Sequence, residues 1–338
     1  MPWSASLREA PTVRSSQRGE LSMTRYIISR LFSSLFVLFV LSILVFSMVR
    51  IIPGDPLAAF ADPANPDPAK LDALRTQLGL DQPWITQYFV WLLGVVQGDF
   101  GRAITIPGAV SDLIATRLPL SIALAVMATL IGTALGIPAG VLAATRWRRL
   151  PDTVVRGLSF VLLATPPFVL GTVLILVNSL TLRLPLVGYA GAAGDPLRAF
   201  GVLLLPSFLI GIVLAAIIAR YTRGTLLDTL GQDFVRTARA KGASPGRLVT
   251  RHALRNALIP VTTVIGIELA ALVGGTVVIE AVFSLPGMGS LLLTGIRSSD
   301  YPIIQATVLL IGVVYVVINF AVDLLYPLID PRVRVHTR

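Results

Sequence analysis

The sequence predicts an all-α protein that crosses a membrane six times. Of its 338 residues, 54% are hydrophobic and only 14% are charged, which leaves too little polar surface for a soluble globule. Six apolar runs are each long enough to cross about 30 Å of hydrocarbon as a helix. None of the runs alternates as the strands of a membrane barrel do. The runs are Leu31–Val49, Leu118–Thr145, Gly157–Leu182, Ala199–Ala219, Ala257–Val282 and Ile303–Val322.

The basic residues give the orientation of these spans. Lys and Arg accumulate in the cytoplasmic loops of membrane proteins, and 20 of the 28 in this chain fall on one predicted side. Both termini are therefore predicted to face the cytoplasm. The net charge of +10 is assigned to contact with anionic lipid headgroups and not to nucleic acid, because the arginines lie at the ends of the spans. The cytoplasmic segments are residues 1–30, 145–156, 220–255 and 332–338.

The segment after the first span is the largest on the outward side. Turn signals such as Pro53-Gly54-Asp55-Pro56 interrupt it. A short polar helix is predicted over Pro68–Leu78, and an interfacial helix over Ile85–Val96, which is apolar but too short to span. The chain is predicted to have four parts. Residues 1–22 are a disordered extension, with Met23 as a candidate start, and residues 23–117 hold the first span and the outward segment. Residues 118–331 hold five spans with a cytoplasmic loop at 223–257, and residues 332–338 are a cytoplasmic tail.

Motifs of enzymes are missing or out of context. The chain has no cysteine, so disulfides and thiolate metal sites are excluded. Gly242-Ala-Ser244-Pro-Gly246 matches the nucleophile-elbow pattern, but it follows a helical stretch and not a strand. No phosphate-binding Gly-x-x-x-x-Gly-Lys motif occurs. The sequence therefore predicts no catalytic, metal or cofactor site in this chain.

Two spans carry glycine or proline signals. Gly132, Gly136 and Gly140 repeat every four residues around Pro138, which predicts close approach of another helix, within the bundle or in a partner. A contact that moves is the alternative interpretation. Pro166-Pro167 removes backbone donors and is predicted to kink the third span.

Two glutamates lie in the fifth span and are the candidates for a pathway through the membrane. At 1.5 Å per residue, Glu268 lies about 15 Å beyond Leu258, near the midplane, and Glu280 reaches the far interface. Because they are about 18 Å apart on a continuous helix, they do not form a catalytic pair. The alternatives for Glu268 are a polar lining or interhelical hydrogen bond, contact with a substrate, and proton coupling. For Glu280 the alternative is a structural role.

The polar loop Asp233–Pro260 separates the fourth and fifth spans. Residues 232–241 predict a helix of about three turns, with Ala238 and Ala240 small enough for close docking and Gly242 suited to end it in a left-handed conformation. Four cations frame this helix and either bind a protein partner or contact lipid phosphates: Arg236, Arg239, Lys241 and Arg247.

Eight short motifs, in this order over about 280 residues, resemble the dipeptide/oligopeptide permease family of ATP-binding-cassette (ABC) importers. The resemblance is strongest to the first-named permease subunit of a dipeptide importer. The motifs are Ile51-Ile-Pro-Gly-Asp-Pro56, Leu78-Gly-Leu-Asp81, Gly98-Asp-Phe-Gly101, Arg236-Thr-Ala-Arg-Ala-Lys-Gly242, His252-Ala-Leu-Arg-Asn-Ala-Leu-Ile-Pro260, Phe283-Ser-Leu-Pro-Gly-Met-Gly289, Asp300-Tyr-Pro302 with Gln305, and Asp330-Pro-Arg332.

The resemblance implies a six-helix type I ABC importer permease in a bacterial or archaeal cytoplasmic membrane. It implies a homologous second permease, two ATPase subunits that hold ATP and Mg, and an extracytoplasmic solute-binding protein. The implied cargo is a di- or oligopeptide, with nickel complexes, glutathione or opines as alternatives. The loop would couple the permease to the ATPases through Asp233, Arg236, Thr237, Ala238, Arg239, Ala240, Lys241, Gly242 and Arg247.

The loop Asp233–Pro260 departs from the general family pattern at the first tripeptide of that pattern. Arg236-Thr237-Ala238 stands where that pattern has Glu-Ala-Ala, so only the last small residue is retained.

The outward segment is either a packed lid or a surface that receives cargo. A secondary transporter is the alternative class, and it is disfavoured because the chain shows one deep acid and no repeat of its halves.

Overall fold

The computed structural model describes residues 23–51, 81–181 and 195–329, and helices make up nearly all of their regular structure. The predictions for 1–22, Pro68–Leu78 and 332–338, and the motif Asp330-Pro-Arg332, lie outside these residues. In chain order the helices are α1 Met23–Ile51, α2 Trp84–Val96, α3 Val110–Thr145, α4 Leu150–Ala164, α5 Pro167–Leu180, α6 Pro196–Leu230, α7 Asp233–Ala240, α8 Pro245–Gly275, α9 Val277–Val282, α10 Met288–Arg297 and α11 Tyr301–Ile329.

Five of these helices, α1, α3, α6, α8 and α11, are each long and apolar enough to cross a membrane. The pair α4 and α5 forms a sixth candidate span, bent by 94° between Ala164 and Pro167. The all-α, multi-spanning prediction is therefore confirmed for the described residues. The third span is more than kinked, because Pro166 and Pro167 both lack a backbone donor and the helix stops and restarts in a new direction.

The fifth span also differs from its predicted bounds of Ala257–Val282. Helix α8 starts earlier, at Pro245, and widens into π-helical geometry over Leu248–Ala253. It ends at Gly275, and α9 continues after a break at Thr276. Consecutive glycines at 274 and 275 weaken helix propagation there, since glycine is about 1 kcal/mol worse than alanine in a helix.

The centre of the bundle is the contact between α3 and α6. A side chain added at Gly132 would lie 2.8 Å from Leu214, and one at Gly136 would lie 2.7 Å from Ile218. The backbones approach closely because these positions carry no side chain, as the glycine spacing suggests. Helix α8 packs on the same side of α6 through Val261, which clusters with Leu214 and Ile218.

Helix α2 lies beside the outward end of α1, and none of its residues is buried. Its Tyr88 hydroxyl shares a 2.8 Å hydrogen bond with the hydroxyl of Ser42, and Phe46 of α1 contacts both Tyr88 and Trp91. The helix extends over Trp84–Val96, within one residue of the predicted bounds. It leaves Trp84, Phe89 and Val96 exposed, as an apolar helix at a membrane surface would.

Candidate coupling surface and translocation pathway

Helix α7 projects from the end of the bundle where the loops are basic. It is joined to α6 by Gly231 and Gln232 alone, and to α8 by the four residues 241–244. Val235 is fully buried and anchors the helix, whose residues are otherwise exposed or only partly covered. A short helix held by one apolar side chain between two membrane-spanning helices presents most of its surface to a partner.

The end of α7 is a Schellman motif, which closes a helix with one left-handed residue. Gly242 has φ +83° and its N–H donates to the Arg239 carbonyl at 3.0 Å. The Ala243 N–H donates to the Ala238 carbonyl at 3.2 Å. The expected glycine stop is therefore present, and any other residue at 242 would be strained in this conformation.

The two alanines that were expected to face a docking groove differ in environment. Ala238 is partly covered, on the side of α7 that carries buried Val235, whereas Ala240 is exposed. The exposed apolar side chain of α7 is Phe234, which is 40% exposed. The sequence did not single out Phe234, because one aromatic residue in a polar loop is equally suited to pack into the bundle. The structure shows that the neighbouring Val235 is the buried residue instead.

The cations around α7 all point to solvent. Arg236, Arg239, Lys241 and Arg247 are exposed, and of these only Arg236 forms an ion pair, at 3.4 Å from Asp233 on the same helix. Such an exposed pair contributes between 0 and about 1 kcal/mol to stability. The basic surface is therefore available to bind an acidic protein surface or lipid phosphates.

A buried ion pair joins α4 to α6 at the same end of the bundle. Arg223 donates two hydrogen bonds to Asp152, at 2.6 and 3.0 Å, and the Arg148 N–H donates a third at 3.0 Å. Asp152 is 1% exposed. Sequence reasoning missed this pair, since its members are 71 residues apart and each resembles an ordinary charge at a helix end.

Glu280 lies in a closed hydrogen-bond network at the outer end. Its carboxylate accepts hydrogen bonds from the Ser121 hydroxyl at 2.7 Å, the Thr276 hydroxyl at 2.8 Å and the Ser290 N–H at 3.0 Å. Ser121 in turn accepts the N–H of Met288 at 2.8 Å. The carboxylate has no exposed surface, so this structure does not place it on a pathway, and the network matches the alternative structural role.

Glu268 differs from Glu280 in both its burial and its hydrogen bonding. It is half-buried on α8, and it makes no hydrogen bond or ion pair with any residue that the structure describes. It lies about 10 Å along the axis from the end of α8 at Gly275. Of the two glutamates, Glu268 is the one that the structure leaves accessible to a molecule outside the chain.

A second buried carboxylate at the outer end, Asp300, fastens the outward loop. Asp300 is fully buried and accepts the N–H groups of Ile104 and Thr105 at 2.7 and 2.8 Å. It also accepts the Thr105 hydroxyl at 2.9 Å and the Ile303 N–H at 3.3 Å, which caps α11. The segment before α3 is thus tied to the start of α11.

The sequence matches two family descriptions. Residues 136–335 match the family described as "Binding-protein-dependent transport system inner membrane component", and residues 23–125 match its N-terminal membrane component. The fold is similar to that of the MetNI methionine ABC transporter in inward-facing conformations, with a TM-score of 0.52 and 22% identity, covering 64% of this chain and 96% of that chain. At this identity the likeness shows the fold alone.

Two relatives cover nearly the whole chain. The glutathione transport system permease protein GsiC of Escherichia coli (strain K12) is 40% identical over 92% of this chain and 99% of its own length. The probable peptide ABC transporter permease protein y4tP of Sinorhizobium fredii is 39% identical over 91% of this chain and 99% of its own length. The chain therefore belongs to the family of binding-protein-dependent inner-membrane transport components, as a multi-pass, non-catalytic permease subunit of an ATP-driven ABC importer whose ATPase is a separate subunit.

Proposed function

We propose that this permease moves di- or oligopeptides into the cytoplasm. Glutathione is itself a short peptide, so the names of the two relatives indicate one chemical class of cargo. The import machinery in this proposal contains a homologous second permease, two ATPase subunits that bind ATP and Mg, and an extracytoplasmic solute-binding protein. Nickel complexes and opines have no support of this kind.

The observation that carries the coupling role is the exposure of α7 between two spans. Val235 fixes the helix to the bundle, while Phe234, Thr237 and Ala240 remain exposed for a groove of the ATPase. The flanking cations complement an acidic rim. The residues assigned to this contact are Asp233, Arg236, Thr237, Ala238, Arg239, Ala240, Lys241, Gly242 and Arg247. We add Phe234 to them because its aromatic side chain is exposed.

The connections of α7 support a mechanical route from ATPase to membrane. Gly231 and Gln232 leave little slack between α6 and α7, so a displacement of α7 pulls on α6 directly. The close glycine contacts make α3 move with α6, since neither backbone can slide without a clash at Gly136. ATP-driven closure of the ATPases then changes the membrane cavity from outward- to inward-facing.

The test of the proposed function is uptake by the complete importer. The two permeases, the ATPases and the binding protein are expressed together in cells that lack their own peptide and glutathione importers. We expect uptake of radiolabelled alanyl-alanine or glutathione that stops on ATP depletion while the proton gradient is maintained. Uptake that persists without ATP contradicts the coupling mechanism, and uptake of neither compound contradicts the assigned cargo class.

A further inference from the structure

The exposed face of α8 is unlike that of a helix that meets lipid. Helix α1 exposes large apolar side chains, including Phe32 at 72% and Phe36 at 59%. The exposed positions in the spanning part of α8 are mostly small or polar, and Ile267 is the only large apolar side chain exposed between 254 and 275. Small side chains on this face let another helix or a passing molecule approach the backbone of α8 closely.

Glu268 lies on the border of that face. One and two turns towards the outer end, the same side of the helix carries Ala271 and Gly275, both of which are exposed. A side chain added at Gly275 would meet no atom within 4 Å. The half-buried carboxylate of Glu268 is therefore next to open space, within the apolar length of the span.

The helices packed against α8 offer Glu268 no cation. The side chains of α6 on this contact are the apolar Leu214 and Ile218, and α11 presents Val322 against Gly266. Arg255, a basic residue on α8 itself, is 13 residues and about 20 Å away along the helix. An unpaired carboxylate at this depth carries a large desolvation cost, which a cation from outside this chain would offset.

We propose that Glu268 is a binding residue of the translocation pathway, where it accepts the protonated amino group of the cargo. The proposal rests on the proposed function, because di- and tripeptides carry an α-ammonium group that N–H···O hydrogen bonds can join to a carboxylate. One charge-assisted contact beside a small-residue surface binds the cargo briefly and lets it leave, as conduction through a site requires.

The test measures binding to the purified complex of permeases and ATPases without the binding protein, so that the selectivity of the binding protein does not contribute. Radiolabelled alanyl-alanine and glutathione are displaced by their unlabelled forms and by their N-acetylated forms, which lack the ammonium group. We expect the N-acetylated forms to bind about tenfold more weakly to the unmodified complex. In Glu268→Gln this difference disappears, and in Glu268→Asp most of it is retained.

Thr262→Val is the matched control. Thr262 is exposed on α8 but lies about 120° around the helix from Glu268. Its hydroxyl donates to the Ile259 carbonyl of the same helix at 2.8 Å, so its loss removes a polar group but no charge. We expect Thr262→Val to keep the tenfold preference. Discrimination that survives in Glu268→Gln, or is missing from the unmodified complex, overturns the assignment of Glu268. A failure of the proposed function is distinct, because the unmodified importer would then take up neither cargo in cells.

Discussion

The carboxylates of the outer end and the cations of α7 at the cytoplasmic end are held in opposite ways. At the outer end, the carboxylates of Glu280 and Asp300 are fully buried and accept hydrogen bonds from groups more than 150 residues away in the chain. At the cytoplasmic end, the cations around α7 are exposed, and a single buried side chain, Val235, anchors the helix. Buried, satisfied carboxylates fix the relative positions of helices, whereas an exposed, lightly anchored helix is suited to be moved by a partner.

The largest effect is expected from an acidic substitution at the stop of α7. Gly242→Asp places a side chain at φ +83° and a negative charge among the cations, so the helix end and its basic surface both change. We expect uptake to be abolished while membrane insertion and affinity for the binding protein are unchanged. Ala238→Glu, which places an acid beside Val235, is expected to act in the same way.

Gly246→Asp is the control for this comparison. Gly246 is exposed in the first turn of α8, has no positive φ and would meet no atom within 4 Å, so an aspartate fits there without strain. We expect uptake within about twofold of the unmodified importer, since surface substitutions of this kind change stability by about 0.5 kcal/mol or less. Full uptake by Gly242→Asp, with Gly246→Asp as its reference, contradicts the coupling role of α7.

The next effect concerns the outer end. Glu280→Ala leaves the Ser121 and Thr276 hydroxyls and the Ser290 N–H without their acceptor, and it opens a cavity beside Gly287. We expect a loss of about 3 kcal/mol in unfolding free energy, because each buried group left unpaired costs about 1–3 kcal/mol. Thermal unfolding of the purified complex measures this loss.

Glu268→Gln serves as the reference for Glu280→Ala, because Glu268 makes no hydrogen bond or ion pair among the described residues. We expect its thermal stability to be unchanged or slightly raised, since a neutral amide costs less to desolvate than a carboxylate. Equal destabilisation by the two substitutions would show that the two glutamates of the fifth span are held alike, contrary to the structure.

Features encoded by residues close together in the chain could be predicted from the sequence, whereas long-range pairs could not. The bounds of α7 and its stop at Gly242 follow from local helix and glycine signals, and the spacing of Gly132, Gly136 and Gly140 indicated a close helix contact. The six apolar runs gave the number of candidate spans. Each of these signals depends on residues that are neighbours in the chain.

The remainder depends on packing between distant segments. Glu280 pairs with Ser121 across 159 residues, and no local pattern marks Ser121 as its donor. Pro166-Pro167 predicts a kink in the third span but not a full break with a bend of 94°. The roles of the α7 residues and of Glu268 stay predictions, since they concern molecules outside the chain.

A smaller effect is expected at the second outer carboxylate. Asp300→Ala removes the acceptor of the Ile104 and Thr105 N–H groups and the cap of α11. We expect a loss of about 2 kcal/mol in unfolding free energy and faster proteolysis of residues 100–109. The control is Asp99→Ala, which loses one exposed 2.9 Å hydrogen bond to the Gly101 N–H. Equal proteolysis of both variants would show that Asp300 does not hold this loop.

The smallest effect tests whether the cytoplasmic end also contains a fixed contact. Arg223→Lys keeps the charge beside Asp152 but loses the two-pronged hydrogen bond, at a cost of about 1 kcal/mol in unfolding free energy. Arg236→Lys, whose ion pair with Asp233 is exposed, is expected to leave stability unchanged. Thermal unfolding of the two variants measures the difference. If both variants unfold at the temperature of the unmodified complex, the buried pair adds nothing to stability. In that case α4 and α6 are also loosely held at the cytoplasmic end, in contrast to the helices fixed at the outer end.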